Sequence, residues 1–223
     1  MLEVGIVIDE KVQFKVLQPK LPKVLDKIDI QGQSIQNESC IVSGTICDCS
    51  IESQAADHVT FNQMIFRNVF FKNVAFKFLD LTDVRFENCD LSNMDLGQSV
   101  IHRVEMINCK VVGVNLSEAT LRNVTFEHCN GNYASFRFSN LGQVIFKNCL
   151  LQNADFETSS FSNVGFHHSD LQLAQMSGTK LKGIDFSDDD IEGLGIRIDD
   201  LQGAVISPVQ AISFAKMIGL IIK

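Results

Sequence analysis

Large apolar residues recur at every fifth position through most of this chain. Counting from Phe66 in steps of five gives Phe66, Phe71, Phe76, Leu81, Phe86, Leu91, Leu96, Ile101 and Met106, and the series holds its phase to Ile206. Of its 29 positions 28 are large and apolar, and Gly131 is the exception. Neither a helix of period 3.6 nor a strand of period 2 produces such a column. A second column lies two residues ahead of the first and is mostly small: Val69, Val74, Val84, Cys89, Val104, Cys109, Val114, Ala119, Val124, Cys129 and Ala134. The residue after each large one is usually polar, as at Arg67, Lys72, Lys77, Glu87, Ser92 and Arg122. Each five-residue unit therefore points one large and one small side chain inward and three outward.

Four such units close a square of 20 residues, and that longer period is also present. Cys89, Cys109, Cys129 and Cys149 are spaced by 20, and the blocks that begin at Val84, Val104, Val124 and Val144 align without gaps. Coils stacked at roughly the 4.8 Å strand spacing satisfy one another's backbone groups and bury a continuous core. The predicted fold is all-β: a right-handed, four-sided β-helix over residues 24–206, with room for about nine coils and a length on the order of 43 Å. Leu25, Ile30 and Ile35 keep a period of five but stand one residue out of phase with Ile41, Ile46 and Ile51, which implies a one-residue bulge between about Gln36 and Cys40.

Both open ends of such a stack need covering. Residues 1–23 read as an N-terminal cap, because residues 4–8 and 12–17 alternate around Asp9-Glu10 like a short hairpin; Pro19 and Pro22 then make an extended connector. At the other end the five-residue phase stops at Ile206. Ser207 suits an N-cap, Pro208 the first helical turn and Gly219 the position after the helix. The helix between them has Gln210, Ser213 and Lys216 as its only polar stripe. It could act as a simple cap, but the preferred reading is that it also builds a two-fold dimer. Its contacts would be Val209, Ile212, Phe214, Ala215, Met217, Ile218 and Leu220, with residues 220–222 as a further strip.

Composition narrows the class. Hydrophobic residues make up 45% of the 223, which excludes a disordered chain. No apolar run approaches the roughly 20 residues of a membrane helix. Glu3, Asp9 and Glu10 do not fit a secretory leader. Seven cysteines, an odd number, suit a reducing cytoplasm. The net charge of −8 is local: residues 64–183 hold 11 acids and 11 bases, whereas residues 184–203 hold 7 acids and 1 base. A nucleic-acid binder relying on a basic patch is therefore not expected.

The residues offer little chemistry. His58, His102, His128, His167 and His168 all fall at outward positions and read as solvated. Cys40, Cys47 and Cys49 near His58 lack the paired spacing of a zinc site, and Cys89 to Cys149 read as core fillers. Gly193-Leu194-Gly195 lacks the third glycine and the context of a dinucleotide fingerprint. Asn68, Asn88, Asn108 and Asn148 form a corner column that turn chemistry explains. No catalytic set, cofactor or metal site is expected, and the chain does not read as an enzyme.

Two features stand out from a plain solenoid. One is the acidic coil Asp185, Asp188, Asp189, Asp190, Glu192, Asp199 and Asp200, beside the terminal helix; in a dimer it would be doubled at the centre. The other is a set of apolar residues at outward positions near Gly131: Tyr133 and Phe138, with Leu173 two coils on and Phe78 in the Phe138 column. Each could equally serve only solubility or local packing.

The segments Cys89-Asp90-Leu91-Ser92, Asn153-Ala154-Asp155-Phe156 and Val114-Asn115-Leu116-Ser117 carry the A(D/N)LXX pattern, and the chain resembles the pentapeptide-repeat family over about residues 41–206. Within it, Phe86-Glu87-Asn88-Cys89-Asp90-Leu91-Ser92, the stretch from Ile107 to Asn115, and the tail from Asp200 to Ala211 running into an apolar helix are most similar to the topoisomerase-protecting Qnr-type and MfpA-type branch. That resemblance implies a homodimer joined by the C-terminal helix, a rod that imitates duplex DNA, and DNA gyrase or topoisomerase IV as partner in a bacterial cytoplasm. It implies protection of the enzyme from quinolones or a gyrase toxin, with no direct nucleic-acid or membrane contact. An adaptor for an unrelated protein is the alternative. The unbroken phase from Phe66 to Ile206 leaves no room for projecting loops.

Overall fold

A computed structural model describes residues 14–30, 32–217 and 219–221. Its main sheet is parallel throughout and has the order β1 (Asp26–Lys27), β2 (Cys40–Glu52), β4 (Thr60–Lys72), β6 (Asp80–Glu87), β7 (Val100–Ile107), β8 (Thr120–Glu127), β9 (Asn140–Lys147) and β10 (Ser160–His167). From β2 onward the partners are spaced by 20 residues: Ile41 with Phe61, Leu81 with Ile101, Leu141 with Phe161. A second pair, β3 (Ala55–Asp57) with β5 (Ala75–Lys77), and single bridges such as Asp95 with Asn115 and Asp170 with Asp190 close the other sides. This is the expected square β-helix.

The corners show why the period is five. Every fifth residue from Ser43 to Leu173 has a positive φ, between 50° and 62°. One left-handed residue turns the chain by a side of the square and restores extended backbone. Asn tolerates this conformation, and Asn68, Asn88, Asn108 and Asn148 occupy it. The large column points inward and is buried from Phe66 to Phe156 without a break. Its rings stack coil upon coil, with Phe126 and Phe146 at 4.8 Å between centroids and Phe136 and Phe156 at 4.7 Å. At Gly131 a side chain would meet Leu151 Cδ2 at 3.0 Å and Val111 Cγ2 at 3.3 Å, so the coils above and below already fill the gap.

The regular stack is shorter than expected. Seven strands recur at the 20-residue interval, β2 to β10 without β3 and β5, giving about seven turns rather than nine. Residues 24–39 do not form a full coil: Asp26 pairs with Gly44 in an 18-residue register. The expected change of phase is present as a turn in which Ser39 N–H donates to Gln36 O (3.1 Å) and Glu38 takes φ 62°. Ile28 covers the first coil by entering the space left by Gly44, where a Cβ would collide with Ile28 Cδ1. Ile30 and Ile35 are buried behind it.

The other end is covered by α1 (Pro208–Met217). Ser207 and Gln210 form a capping box, Gln210 N–H to Ser207 Oγ at 3.3 Å and Ser207 N–H to Gln210 Oε1 at 2.7 Å. Gln210 also donates through Nε2 to the carbonyls of Phe186 and Asp189, both at 2.8 Å, which satisfies two acceptors at the end of the ladder. Gln210 thus faces the solenoid rather than lying on an outer polar stripe. Gly219 ends the helix at φ 84°, with Gly219 N–H bonded to Lys216 O and Leu220 N–H to Ala215 O.

The hairpin expected at residues 4–8 and 12–17 lies mostly outside the described residues. From Phe14 to Lys23 there is no strand, and this stretch runs along the side of the solenoid rather than over its end. Among the described residues no helix is long and apolar enough to cross a membrane.

Candidate partner-binding surface

The stack sets outward residues in columns 20 apart, so charge pairs form between coils. Arg67 meets Glu87 at 2.6 Å, Arg85 meets Glu105 at 2.7 Å, Lys72 meets Glu52 at 2.8 Å, and Arg103 grips both oxygens of Asp83 at 2.6 and 2.7 Å. Arg137 bridges Asp155 and Glu157. The equal numbers of acids and bases in this region are therefore laid out as mutually compensating ladders.

Toward the C-terminal end the ladders lose their bases. Asp170 forms a backbone bridge with Asp190 in the next coil, and each carboxylate accepts from a glutamine amide: Gln152 Nε2 donates to Asp170 Oδ2 at 2.6 Å and Gln172 Nε2 to Asp190 Oδ2 at 2.5 Å. Asp190 and Glu192 are exposed on this side, Asp199 is exposed nearby, and Asp185 and Asp188 are half-buried. Asp185 Oδ1 accepts from Ser187 N–H at 2.9 Å, and His168 Nδ1 stands 3.5 Å from Asp188. Asp170 extends this acidic face and escaped the sequence reading, which stopped at the coil where acids outnumber bases.

Two members of the acidic coil lie inside. Asp189 occupies the small inward column and accepts Ser169 N–H at 2.7 Å. Asp200 is 3% exposed and lies in the short 3-10 turn Ile198–Leu201, while Leu201 and Ile206 keep their places against the core. Its carboxylate receives Lys180 Nζ at 2.7 Å and Gly178 N–H at 2.8 Å, and the Lys180 ammonium holds its pKa below the usual value. Five exposed or half-exposed carboxylates remain in that coil rather than seven.

The expected dimer residues divide in the same way. Val209, Ile212 and Leu220 are exposed, Ala215 is half-buried, and Phe214 packs against the core. Ile218 and the Met217 side chain lie outside the described residues.

Tyr133, Phe138, Leu173 and Phe78 all sit on left-handed corners, at φ 61°, 56°, 60° and 55°. Tyr133 is 65% exposed, and the Arg137 guanidinium lies 5.3 Å from the Phe138 ring. Phe78 stacks on His58 at 4.8 Å. Bulky side chains are uncommon in this backbone conformation.

His167 departs from the expected solvated state. It is 4% exposed, and its ring lies across Gly165, where a Cβ would come 2.8 Å from Nε2. The buried thiols behave as core: Cys89, Cys129 and Cys149 donate to carbonyls 23 residues earlier. Among the described residues no three metal-ligating side chains converge.

Comparison with known proteins follows this architecture. A model described as pentapeptide repeat region matches residues 79–156, and one described as pentapeptide repeats (8 copies) matches residues 57–93 and 149–188. No curated protein matches the chain. Similar solved structures include trypsin-treated QnrB1, a plasmid-mediated fluoroquinolone resistance protein, at 20% identity and TM-score 0.45, covering 89% of this chain and 95% of that one. HetL, involved in heterocyst differentiation regulation in the cyanobacterium Nostoc sp. strain PCC 7120, aligns at 14% identity and TM-score 0.32, covering 79% and 90%. A repeat protein of the Arabidopsis thaliana thylakoid lumen aligns at 22% identity and TM-score 0.25, covering 49% and 70%. Repeat matches that together run from residue 57 to 188, on a square β-helix with a left-handed residue at every fifth position, make this chain a member of the pentapeptide-repeat family.

Proposed function

We propose that this protein is a non-enzymatic partner of DNA gyrase or topoisomerase IV in a bacterial cytoplasm, and that it shields the enzyme from a quinolone or a gyrase toxin by occupying part of its DNA-binding surface. The observation that carries this reading is the contrast in charge along the rod. Outward acids are compensated coil by coil in the arms, whereas Asp185, Asp188, Asp190, Glu192 and Asp199 crowd the C-terminal end with few bases. The exposed Val209, Ile212 and Leu220 lie at that same end. A two-fold contact there brings both acidic ends together and sets ten carboxylates at the centre of a longer rod. A protein surface that binds DNA phosphates meets such a field favourably.

The test is gyrase supercoiling with and without ciprofloxacin across a range of concentrations of this protein. The reading expects restored supercoiling in the presence of the drug, or concentration-dependent inhibition in its absence. Unchanged supercoiling under both conditions, with gyrase and with topoisomerase IV, removes it.

A second reading rests on the apolar corners. Placing Tyr133, Phe138 and Leu173 in a left-handed conformation costs backbone energy, while their side chains remain exposed. An adaptor that binds an unrelated protein through these corners accounts for that arrangement. Changing Tyr133 and Phe138 to Ser then abolishes partner binding that persists at high salt.

A further inference from the structure

Residues 14–20 lie outside the ladder yet follow the solenoid lengthwise. Lys20 N–H donates to Asp83 Oδ1 at 2.8 Å, and Gln63 Nε2 donates to Lys20 O at 3.4 Å. Three residues earlier, Leu17 N–H donates to Asn123 Oδ1 at 3.0 Å. Gln63, Asp83 and Asn123 belong to one corner column. Asp83 and Asn123 are two coils apart, about 9.6 Å at the strand spacing, which is what three extended residues span. Phe14 continues the path to a groove of about 420 Å³ lined also by Asn163, Val164, Gly165, Lys182 and Gly183. The segment therefore crosses coils that are otherwise in contact only with their neighbours.

The attachment depends on side chains of the corner rather than on sheet pairing. Leu17 and Lys20 are exposed, while Val16 and Pro19 are half-buried. Pro19 and Pro22 favour extended backbone before any contact is made. Residues 14–25 contain Lys15, Lys20 and Lys23 and no acid. On the other side, Asp83 is buried between the Lys20 amide and the Arg103 fork, and Asn123 is buried beneath Leu17.

We infer that this corner is a docking channel for an extended, lysine-bearing polypeptide, and that the chain's own residues 14–20 hold it closed. The channel recognises backbone: side-chain oxygens two coils apart accept N–H groups three residues apart. A segment of the same chemistry from a partner enters only when the strap leaves.

The test uses the full chain and a labelled synthetic peptide of residues 14–23. Leu17→Pro with Lys20→Pro removes both strap donors and leaves the corner intact. Fluorescence anisotropy should show the peptide binding this variant at least tenfold more tightly than wild type. Adding Asn123→Ala and Asp83→Ala, which removes both acceptors, should abolish that binding. Equal affinity for wild type and variant, or no binding to a variant that keeps its β-sheet circular dichroism, overturns the channel. Should the double-proline variant lose its fold, Asn123→Ala alone replaces it, read by hydrogen exchange. At least tenfold faster exchange at Leu17, with Phe146 unchanged, supports the strap; an unchanged Leu17 overturns it.

Discussion

Lys180 Nζ lies 2.7 Å from Asp200 Oδ1, one coil below it, and this contact takes one carboxylate out of the acidic end. Because Lys180 depresses the pKa of Asp200, the folded state holds the carboxylate more readily than the unfolded chain does. The stabilisation is fully present above the unfolded value of about 3.9 and disappears as the pH falls through the lower folded value. Asp200→Asn should cost about 1–3 kcal/mol at pH 7, through the loss of charge-assisted bonds to Lys180 and Gly178. Urea melts of both proteins should converge as the pH drops toward 3. A constant difference from pH 7 to pH 3 would show that the ion pair does not stabilise this turn.

The core is expected to dominate stability. Phe146 stacks between Phe126 and Phe166, at 4.8 and 5.1 Å. Phe146→Ala should cost about 3–5 kcal/mol. Arg67→Ala, which removes an exposed pair with Glu87, should cost at most about 1 kcal/mol. Comparable losses in thermal melts would contradict the inward and outward columns.

How far the chain could be read from its sequence follows from the repeat itself. A column such as Phe126, Phe146 and Phe166 is legible because each layer repeats the same packing problem, so one rule applies to every coil. Features that leave the period are not legible. Asp200 stands at an outward position by counting, yet it is buried within the 3-10 turn Ile198–Leu201, which the repeat does not announce. His167 is buried because Gly165 two residues away leaves room for its ring. The strap has no period, and its partners Asp83 and Asn123 are 63 and 106 residues distant. The exposed helix residues Val209 and Ile212 were legible; the inward turn of Phe214 and Gln210 depended on how α1 seats on the last coil.

The N-terminal end supplies a test of close packing. Gly44→Ala sets a Cβ where Ile28 Cδ1 now lies and should cost about 1–3 kcal/mol through displacement of Ile28. In an Ile28→Ala background the same change should be nearly neutral, since the two positions share one space. Additive losses in the double-mutant cycle would show that Ile28 does not fill the gap.

Assembly is tested at the opposite end. Val209→Glu with Ile212→Glu puts charge on the exposed side of α1 without touching Gln210, which caps Phe186 and Asp189. Light scattering at micromolar concentration should give a dimer for wild type and a folded monomer for the variant. A wild-type monomer would remove the doubled acidic centre.

The central claim is that the acidic end stands in for DNA, and salt-dependent binding to gyrase tests it most directly. Affinity should fall as the Debye length shrinks from about 10 Å at 0.1 M to about 3 Å at 1 M ionic strength. Changing Asp188, Asp190 and Asp199 to Asn and Glu192 to Gln leaves the inward Asp189 and Asp200 in place and removes four charges per chain. The account predicts a folded variant whose binding to gyrase or topoisomerase IV is at least tenfold weaker at 0.1 M, with most of its salt dependence gone. Wild-type affinity in this variant, or no binding of the wild type to either enzyme, would contradict it.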